Sequence, residues 1–343
     1  MTAENLVSKE RLQNSEVLLI GSEGYIGTAI KEFLSSKGIS FYSPLISELD
    51  ITDPDQATEV FENFRGKAVI YAAGITNVSE IEKDDAVFDK ALEVNVEGAK
   101  TTALACRERG LRFLMISSGY QRAGTDENPG PYTEEAPFAD EVGEMELLGR
   151  YAQTKLLGDR AVREVFKDDP SKLAILYIDY PCGFIEGVGE KYQRDWYLQT
   201  LLRNYSKGIN PFEDQELTFS PVRLVAEVAW IIIEKELSGS FNVAAKGVTN
   251  PHELVSYLME QFGEDPSQVK AGSIRAYQEK LRREGKRSVY PVRGGFDCRV
   301  SERRLAQAEP GFQYSFWQEA ADEMIKGLKD FWDTLKVGPV VAS

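Results

Sequence analysis

Short apolar runs alternate with stretches of helical periodicity through the first half of the chain. The apolar runs are Val17–Ile20, Ile39–Tyr42, Ala68–Tyr71, Leu111–Ile116 and Leu173–Ile178. The helical stretches between them are residues 25–37, 85–109 and 147–167. Runs this short and this apolar are typical of strands buried on both faces of a sheet. Their alternation with helices predicts a doubly wound parallel α/β sheet whose ligand lies at the carboxyl ends of the strands.

The second half of the chain has a less regular pattern. Helices are predicted at residues 192–206, 223–237, 251–263, 273–284 and 316–334, with a short strand at Gly239–Ala244. This pattern favours a smaller C-terminal α/β lobe built on the first domain. We expect residues 1–15 to be a flexible leader and residues 16–185 to form the sheet domain. Residues 186–343 should form mainly the lobe, with some segments returning to the core.

Composition excludes several functions. The 343 residues carry a formal net charge of −15, and a surface of that sign repels the phosphates of nucleic acid. The single histidine argues against a histidine-rich metal site and a Ser-His-Asp hydrolase, so no metal is expected. Three scattered cysteines make no disulfide framework, and no apolar stretch is long enough for a membrane helix. We expect a cytoplasmic protein with neither nucleic acid nor membrane as partner.

A glycine-rich segment follows the first predicted strand and precedes the first predicted helix. Residues 21–27 read Gly-Ser-Glu-Gly-Tyr-Ile-Gly. Gly21 permits the tight turn, Gly24 lets backbone N–H groups approach a pyrophosphate, and Gly27 lets helix and strand pack closely. The helix N-terminus then faces the phosphates with its partial positive charge. The segment predicts a Rossmann-type site for NADP or NAD.

The choice between NADP and NAD stays open at this stage. NAD enzymes of this fold place an acid on the ribose hydroxyls at the end of the second strand. The strand here ends in Tyr42-Ser43, with neither an acid nor an arginine at that position. The neutral Ser43 slightly favours acceptance of the 2′-phosphate of NADP, or of both cofactors.

Three further polar positions favour catalysis at the same edge of the sheet. Tyr151 and Lys155 are four residues apart, so on a helix they share one face, and an ammonium beside a phenol favours the phenolate. Ser118 follows an apolar strand, where its hydroxyl can hold a substrate carbonyl beside the tyrosine. Asn95 is an amide on an otherwise apolar helix face and needs a partner. Each signal alone is weak, but the ordered set is a strong combination.

This ordered set resembles the extended short-chain dehydrogenase/reductase superfamily. Within it the chain most resembles the dTDP-4-dehydrorhamnose reductase family. The similar stretches are Leu49–Asp53, Tyr71–Val78, Val94–Gly98, Pro131–Glu134 and Tyr151–Asp159. The resemblance is convincing over about residues 16–185 and thin beyond them.

The resemblance implies roles for individual residues. It implies catalysis by Ser118, Tyr151 and Lys155, and a nicotinamide-side loop that begins at Tyr180-Pro181. With the glycine loop, it places cofactor contacts at Gly21, Gly24, Tyr25, Ile26, Asp50, Ile51, Ala72, Ala73, Gly74, Asn95, Tyr151, Lys155 and Pro181. Substrate contacts are expected at Ser118, Tyr120 and Arg293. The nearby basic cluster at residues 282–287 could bind a nucleotide diphosphate, but clusters of this kind are more often solvated helix ends.

The chain departs from the family pattern beside the expected catalytic serine. The family motif S-T-D-Y-V-F is replaced by Ser-Ser-Gly-Tyr-Gln-Arg at residues 117–122. Gly119 stands where an aspartate helps to bind sugar, and Gln121 and Arg122 replace apolar residues. We therefore expect intact catalytic machinery and an altered sugar pocket.

The expected function is NAD(P)H-dependent reduction of a keto group. The resemblance implies the 4-keto group of a nucleotide-linked 6-deoxysugar as substrate. One alternative keeps the fold and reduces a different carbonyl or oxidises an alcohol. Another is a non-catalytic dinucleotide-binding regulatory subunit like that of methionine adenosyltransferase. A homodimer through the helices that carry Asn95 and Tyr151 is possible.

Overall fold

The computed structural model describes residues 10–185, 196–286 and 291–336. Six parallel strands form one sheet, and they are β1 Val17–Ile20, β2 Phe41–Tyr42, β3 Ala68–Tyr71, β4 Arg112–Ser118, β5 Leu173–Ile178 and β8 Gly239–Val243. Across the sheet they lie in the order β2-β1-β3-β4-β5-β8. A separate two-stranded pair joins β6 Pro181–Cys182 to β7 Ser220–Pro221. The expected doubly wound, Rossmann-like sheet is confirmed.

Helices follow most of the strands. They are α1 Tyr25–Ser36, α2 Pro54–Asn63, α3 Val78–Lys83, α4 Asp85–Leu92, α5 Ala99–Glu108, α6 Arg150–Val165, α7 Trp196–Ser206, α8 Val222–Glu234, α9 Pro251–Gln261, α10 Ile274–Arg283, α11 Arg299–Ala308, α12 Trp317–Asp322 and α13 Ile325–Lys336. Helix α8 packs against α1, and α5 packs between α2 and α6. None of the described helices is long and apolar enough to cross a membrane.

The strand order reverses direction at β1, and that reversal creates the ligand-binding edge. Strand β2 lies on one side of β1 and β3 on the other. Right-handed crossovers then send the connecting helices to opposite faces of the sheet. The loops after β1 and β3 therefore diverge, and the crevice between them opens at Gly21 and Ala72.

The second half of the chain contributes to both parts of the molecule. Strand β8 pairs in parallel with β5, so the predicted short strand extends the main sheet. A second apolar cluster, built around α7, α9 and α13, forms the core of the lobe. The helix predicted over residues 316–334 is two helices, α12 and α13. The start of the helix predicted from residue 192 lies outside the described residues.

The N-terminal segment differs from the expectation of a flexible leader. Residues 10–13 are helical, and Leu12 is buried in the main core. The hydroxyl of Ser15 donates to the carbonyl of Arg11 at 2.7 Å. Residues 1–9 lie outside the described part. One apolar side chain is enough to hold this turn against the sheet, and the charged neighbours hide that signal in the sequence.

A π-helical segment, Glu93–Gly98, joins α4 to α5, so the predicted helix over residues 85–109 runs through Gly98 without a break. Helix α6 approaches this segment closely at Gly158. A Cβ atom at Gly158 would lie 2.2 Å from the carbonyl oxygen of Asn95. The absence of a side chain at this position therefore sets the distance between the two helices.

Substitution Gly158→Ala should lower the free energy of unfolding by about 1–3 kcal/mol. The added methyl group forces α6 away from the segment at Asn95, and overpacking of this kind outweighs the better helix propensity of alanine. Thermal or urea unfolding measures the change. The neighbouring Leu157→Ala, on the exposed side of α6, is the control and should have a smaller effect. Equal stability of Gly158→Ala and the native chain would contradict the packing described.

Candidate active site

The glycine loop has the geometry of a phosphate cradle. Gly21 has φ +85°, and a Cβ there would lie 2.4 Å from the backbone nitrogen of Ala73. A Cβ at Gly27 would lie 2.0 Å from the carbonyl oxygen of Gly21. Gly24 is the N-cap of α1 and supplies no side-chain cap. The first N–H groups of α1, at Tyr25 and Ile26, therefore suit an anion. These residues fit the pyrophosphate of a dinucleotide.

The walls on either side of the cradle carry the other expected cofactor residues. The carboxylate of Asp50 accepts from the N–H and hydroxyl of Thr52 at 2.9 and 2.7 Å, and these bonds lower its pKa. Ile51 is buried, and its Cδ1 lies where a side chain at Gly98 would point. A Cβ at Gly74 would lie 3.1 Å from the side-chain oxygen of Asn95. Glycines, and side chains held by hydrogen bonds or by packing, thus line both sides of the crevice.

The second lobe closes the crevice near the glycine loop. The hydroxyl of Tyr25 donates to the carbonyl of Gly183, one residue beyond β6. Pro181 at the start of β6 is half-buried and pairs with Ser220 of β7. Strand β6 therefore brings Pro181 to the side of the crevice where the expected nicotinamide loop should lie.

Ser118, Tyr151 and Lys155 meet at the carboxyl end of β4. Ser118 ends β4, and its hydroxyl forms a hydrogen bond with the hydroxyl of Tyr151 on the first turn of α6. Lys155 is one turn further along α6 and donates from Nζ to the carbonyl of Ile116 at 3.1 Å. The helical spacing predicted from sequence is confirmed, and the three side chains share one site.

Burial dominates the electrostatics of this trio. It raises the pKa of Tyr151 to about 12, although the hydrogen bond from Ser118 acts to lower that pKa. It lowers the pKa of Lys155 to about 8, against the opposing effect of Asp159. The lowered phenol pKa that an ammonium favours is therefore not found in the chain without a cofactor. A further positive charge must be added at the site before the phenolate is favoured.

The side-chain amide of Asn95 connects two segments of the site through hydrogen bonds. Its side-chain oxygen accepts from the N–H of Ile75 at 2.9 Å, and its Nδ2 donates to the carbonyl of Ile75 at 3.0 Å. The same nitrogen donates to the hydroxyl of Thr154 at 2.9 Å. Asn95 is buried within the π-helical segment, a kind of helix distortion often found at functional sites. Its amide joins the loop after β3 to the helix that carries Tyr151 and Lys155.

Two of the three residues expected to alter the sugar pocket have packing roles instead. Gln121 is fully buried and donates to the hydroxyl of Ser117 at 2.5 Å and to the carbonyl of Lys155 at 3.2 Å. The guanidinium of Arg122 donates to the carbonyl of Ala136 at 3.1 Å. Its Nε and Nη1 have no hydrogen-bond partner, and its charge lies 4.6–5.5 Å from the ring centroids of Phe138, Tyr132 and Tyr177, where cation–π attraction partly offsets the loss of water. These side chains anchor the loop between β4 and α6.

Gly119 does change the floor of the site. A Cβ there would lie 2.7 Å from the Phe296 ring and 3.7 Å from a carboxylate oxygen of Asp179. The second lobe therefore fills the space that a side chain at position 119 would take. Asp179 is buried and accepts from the N–H and hydroxyl of Thr218, both at 3.2 Å. Burial raises its pKa to about 7. Sequence analysis missed Asp179 because nothing in its local sequence marks it.

A cleft of about 520 Å³ opens beside Tyr120 and the N-terminus of α6. The Tyr120 ring makes an edge contact with the Tyr151 ring, with centroids 6.2 Å apart. The charged residues that line the cleft are Arg122, Asp126, Glu127, Arg275, Arg282 and Lys286. Arg282 and Lys286, read from the sequence as a solvated helix end, thus face the cleft.

Arg293 is placed differently from the expectation. Its side chain forms an ion pair with Glu216 at 3.2 Å, and its backbone bonds to Gly124 and Gly130 on the loop between β4 and α6. Arg293 is not among the residues that line the cleft. It joins the second lobe to that loop, whereas Arg275 and Arg282 of α10 line the cleft.

Comparison with known proteins agrees with this geometry. The RmlD substrate binding domain family matches residues 15–329. The chain belongs to this family. A dTDP-4-dehydrorhamnose reductase of Streptomyces griseus is 31% identical over 253 residues, which are 74% of this chain and 78% of that protein. A probable low-salt glycan biosynthesis reductase of Haloferax volcanii is 26% identical over 308 residues, covering 85% of this chain and 96% of its own length.

Solved structures show the same fold. A dTDP-4-dehydrorhamnose reductase of Clostridium acetobutylicum superposes with a TM-score of 0.69 at 21% identity, covering 93% of this chain and 99% of its own. The Bacillus anthracis enzyme, solved in complex with NADP, has a TM-score of 0.68 at 20% identity over 94% of this chain and 99% of its own. The expected family, the Rossmann-like fold and the oxidoreductase class are confirmed.

Substitution Asp179→Asn should stabilise the protein increasingly as pH rises. The folded pKa of about 7 lies above the ordinary aspartate pKa of 3.8, so the folded state binds the proton more tightly. The native chain then loses stability between about pH 4 and 7, at up to about 1.4 kcal/mol per unit. Asparagine keeps the acceptor for Thr218 and carries no charge. Urea unfolding at pH 5 and pH 8 measures the difference.

The exposed Asp330→Asn on α13 is the matched control for this comparison. We expect it to follow the pH profile of the native chain. If Asp179→Asn has the same effect on stability at pH 5 and at pH 8, the buried carboxyl does not titrate as described.

Proposed function

We propose that the protein uses NAD(P)H to reduce the 4-keto group of a nucleotide-linked 6-deoxysugar. The observation that carries this proposal is the convergence of Ser118, Tyr151 and Lys155 at the carboxyl end of β4, the sheet edge that also carries the glycine cradle. A nicotinamide cofactor bound in the crevice would supply the hydride. The chain itself must supply the proton and the alignment of the carbonyl.

The three central residues have distinct roles in this proposal. Ser118 donates a hydrogen bond to the substrate carbonyl and holds it beside Tyr151. Tyr151, protonated at neutral pH because its pKa is about 12, donates its phenolic proton to the carbonyl oxygen. Lys155 lies close to the site and, with its pKa near 8, is suited to stabilise the phenolate that remains.

The cleft beside Tyr120 supports a substrate that carries a diphosphate. Apart from the buried Arg122, its lining contains three basic and two acidic side chains, although the chain as a whole has a net charge of −15. Arg275 is paired with Asp126 at 2.7 Å and Lys286 with Glu284 at 2.8 Å, so Arg282 at the end of α10 is the better phosphate ligand. Tyr120 connects this cleft to Tyr151. A sugar at the trio with its nucleotide in the cleft is consistent with this arrangement.

The altered floor at Gly119 favours a second candidate, reduction of a different carbonyl. The Phe296 ring fills the space beside Gly119, so an apolar surface replaces a polar contact to the sugar. A substrate with fewer hydroxyl groups would suit this floor. A panel of carbonyl compounds assayed with both reduced cofactors separates the two candidates.

The proposed homodimer stays a prediction. Leu104 on α5 and Leu157 on α6 are exposed apolar side chains on two helices that pack together. A two-fold contact through these helices would bury both side chains. Sedimentation velocity of the full chain measures the oligomeric state.

Substitution Tyr151→Phe should lower kcat by about 10²–10⁴-fold, the usual contribution of a general acid. The phenyl ring keeps the packing against Tyr120, so cofactor binding should change little. The assay follows NADPH and NADH oxidation with dTDP-4-keto-6-deoxyglucose, and fluorescence titration follows cofactor affinity. Tyr205→Phe on α7, outside the site, is the control. Turnover by Tyr151→Phe at the native rate would rule out the proton-donor role.

A further inference from the structure

A buried carboxylate lies one helical turn beyond Lys155. Lys155 and Asp159 are four residues apart on α6, so they share one face of the helix. The side chain of Asp159 has no exposed surface, and Lys155 is buried as well. A charge in such surroundings is costly unless donors or an opposite charge compensate it. The reduction proposed above gives this carboxylate no role.

Two hydrogen bonds hold the carboxylate of Asp159 in place. Its Oδ2 accepts from the hydroxyl of Tyr177 on β5, and its Oδ1 accepts from Nε of Arg163, a further turn along α6. The guanidinium of Arg163 also donates to the hydroxyl of Tyr177 at 2.7 Å and to the hydroxyl of Ser240 on β8 at 2.9 Å. The network fixes the carboxylate between α6 and the sheet, with Arg163 two turns away from Lys155.

The charge of Asp159 acts on two buried cations besides Arg163. Burial lowers the pKa of Lys155 to about 8, and the carboxylate of Asp159 opposes this effect. The carboxylate acts in the same direction on the buried Arg122 of the loop between β4 and α6. The hydrogen-bond partners that other elements offer to Lys155 are neutral. They are the carbonyl of Ile116, which accepts from Nζ, and the side chain of Gln121, which donates to the backbone carbonyl of Lys155.

We propose that Asp159 is a positioning residue that keeps Lys155 in its ammonium form at the site. An ammonium stabilises the phenolate that Tyr151 leaves after it has donated its proton, whereas a neutral amine has no charge to do so. Before that step the phenol of Tyr151 is protonated and adds no charge of its own. Asp159 lies one turn beyond the trio and acts through Lys155. The inference rests on the role proposed for Lys155 and deepens it.

The ionisation of Lys155 can be measured directly in the full chain. Lysine ¹³C-labelled at Cε reports the charge of each amine by nuclear magnetic resonance, and Lys155→Met identifies the resonance of Lys155. We expect this resonance to titrate near pH 8 in the native chain. In Asp159→Asn it should titrate about one pH unit lower, the effect of removing one charge at close range. The measurement needs neither substrate nor cofactor.

Two further variants separate the charge of Asp159 from the integrity of the fold. Asp159→Asn leaves Arg163 without its carboxylate, so a double variant that adds Arg163→Gln removes both charges together. It should show a similar fall in the pKa of Lys155, and it decides the question if the single variant does not fold. Glu164→Gln removes a carboxylate from the exposed face of the same helix and should leave the pKa of Lys155 unchanged.

The pH dependence of turnover gives a second readout. Because the ammonium form is lost at lower pH in Asp159→Asn, the alkaline limb of the kcat profile should move to lower pH by the amount that the resonance shows, with little change in KM. A role in folding alone would not move this limb.

The outcomes distinguish this inference from the proposed function. If the pKa of Lys155 is the same in the native chain, in Asp159→Asn and in the double variant, the inference is wrong and the reductase proposal stands. A lowered pKa in a protein that reduces no carbonyl supports the effect of Asp159 on Lys155 and counts against the proposed function instead.

Discussion

The hydrogen bonds of the Asn95 side chain hold the two halves of the site together. One amide reaches the backbone of Ile75 beyond β3 and the hydroxyl of Thr154 on α6. Asn95 can do so because the π-helical segment turns it inwards, and because Gly158 lets α6 approach the backbone at that point. This bridge acts together with the hydrogen bond from the N–H of Tyr151 to the carboxylate of Glu82 and the ion pair of Arg150 with Asp85 to fix α6 relative to the crevice beside β3.

Burial disfavours the charged forms of Tyr151 and Lys155, although both side chains are in position at the site. The pKa of Tyr151 is raised to about 12 and that of Lys155 is lowered to about 8, both mainly by desolvation. The phenol is therefore protonated at neutral pH, which is the state from which it donates a proton in carbonyl reduction. The reverse reaction depends on positive charge that a bound oxidised nicotinamide would bring.

The features of the site that depend on residue spacing within one short segment could be predicted from the sequence. The glycine loop, the strand that ends at Ser118 and the helical pair Tyr151 and Lys155 are all encoded within short segments. Contacts between distant segments could not be predicted in this way. The buried roles of Gln121 and Arg122, the Phe296 ring beside Gly119, and the carboxyl of Asp179 all depend on how the second lobe and the long loop pack.

The most direct test of this account is the pKa of the Tyr151 phenol, with and without oxidised cofactor. It can be followed as the ultraviolet difference between the native chain and Tyr151→Phe during an alkaline titration. We predict a pKa of about 12 in the free protein and a clearly lower pKa when the oxidised dinucleotide is bound. An unchanged pKa in the presence of bound cofactor would contradict a site in which Tyr151 exchanges its proton beside the nicotinamide.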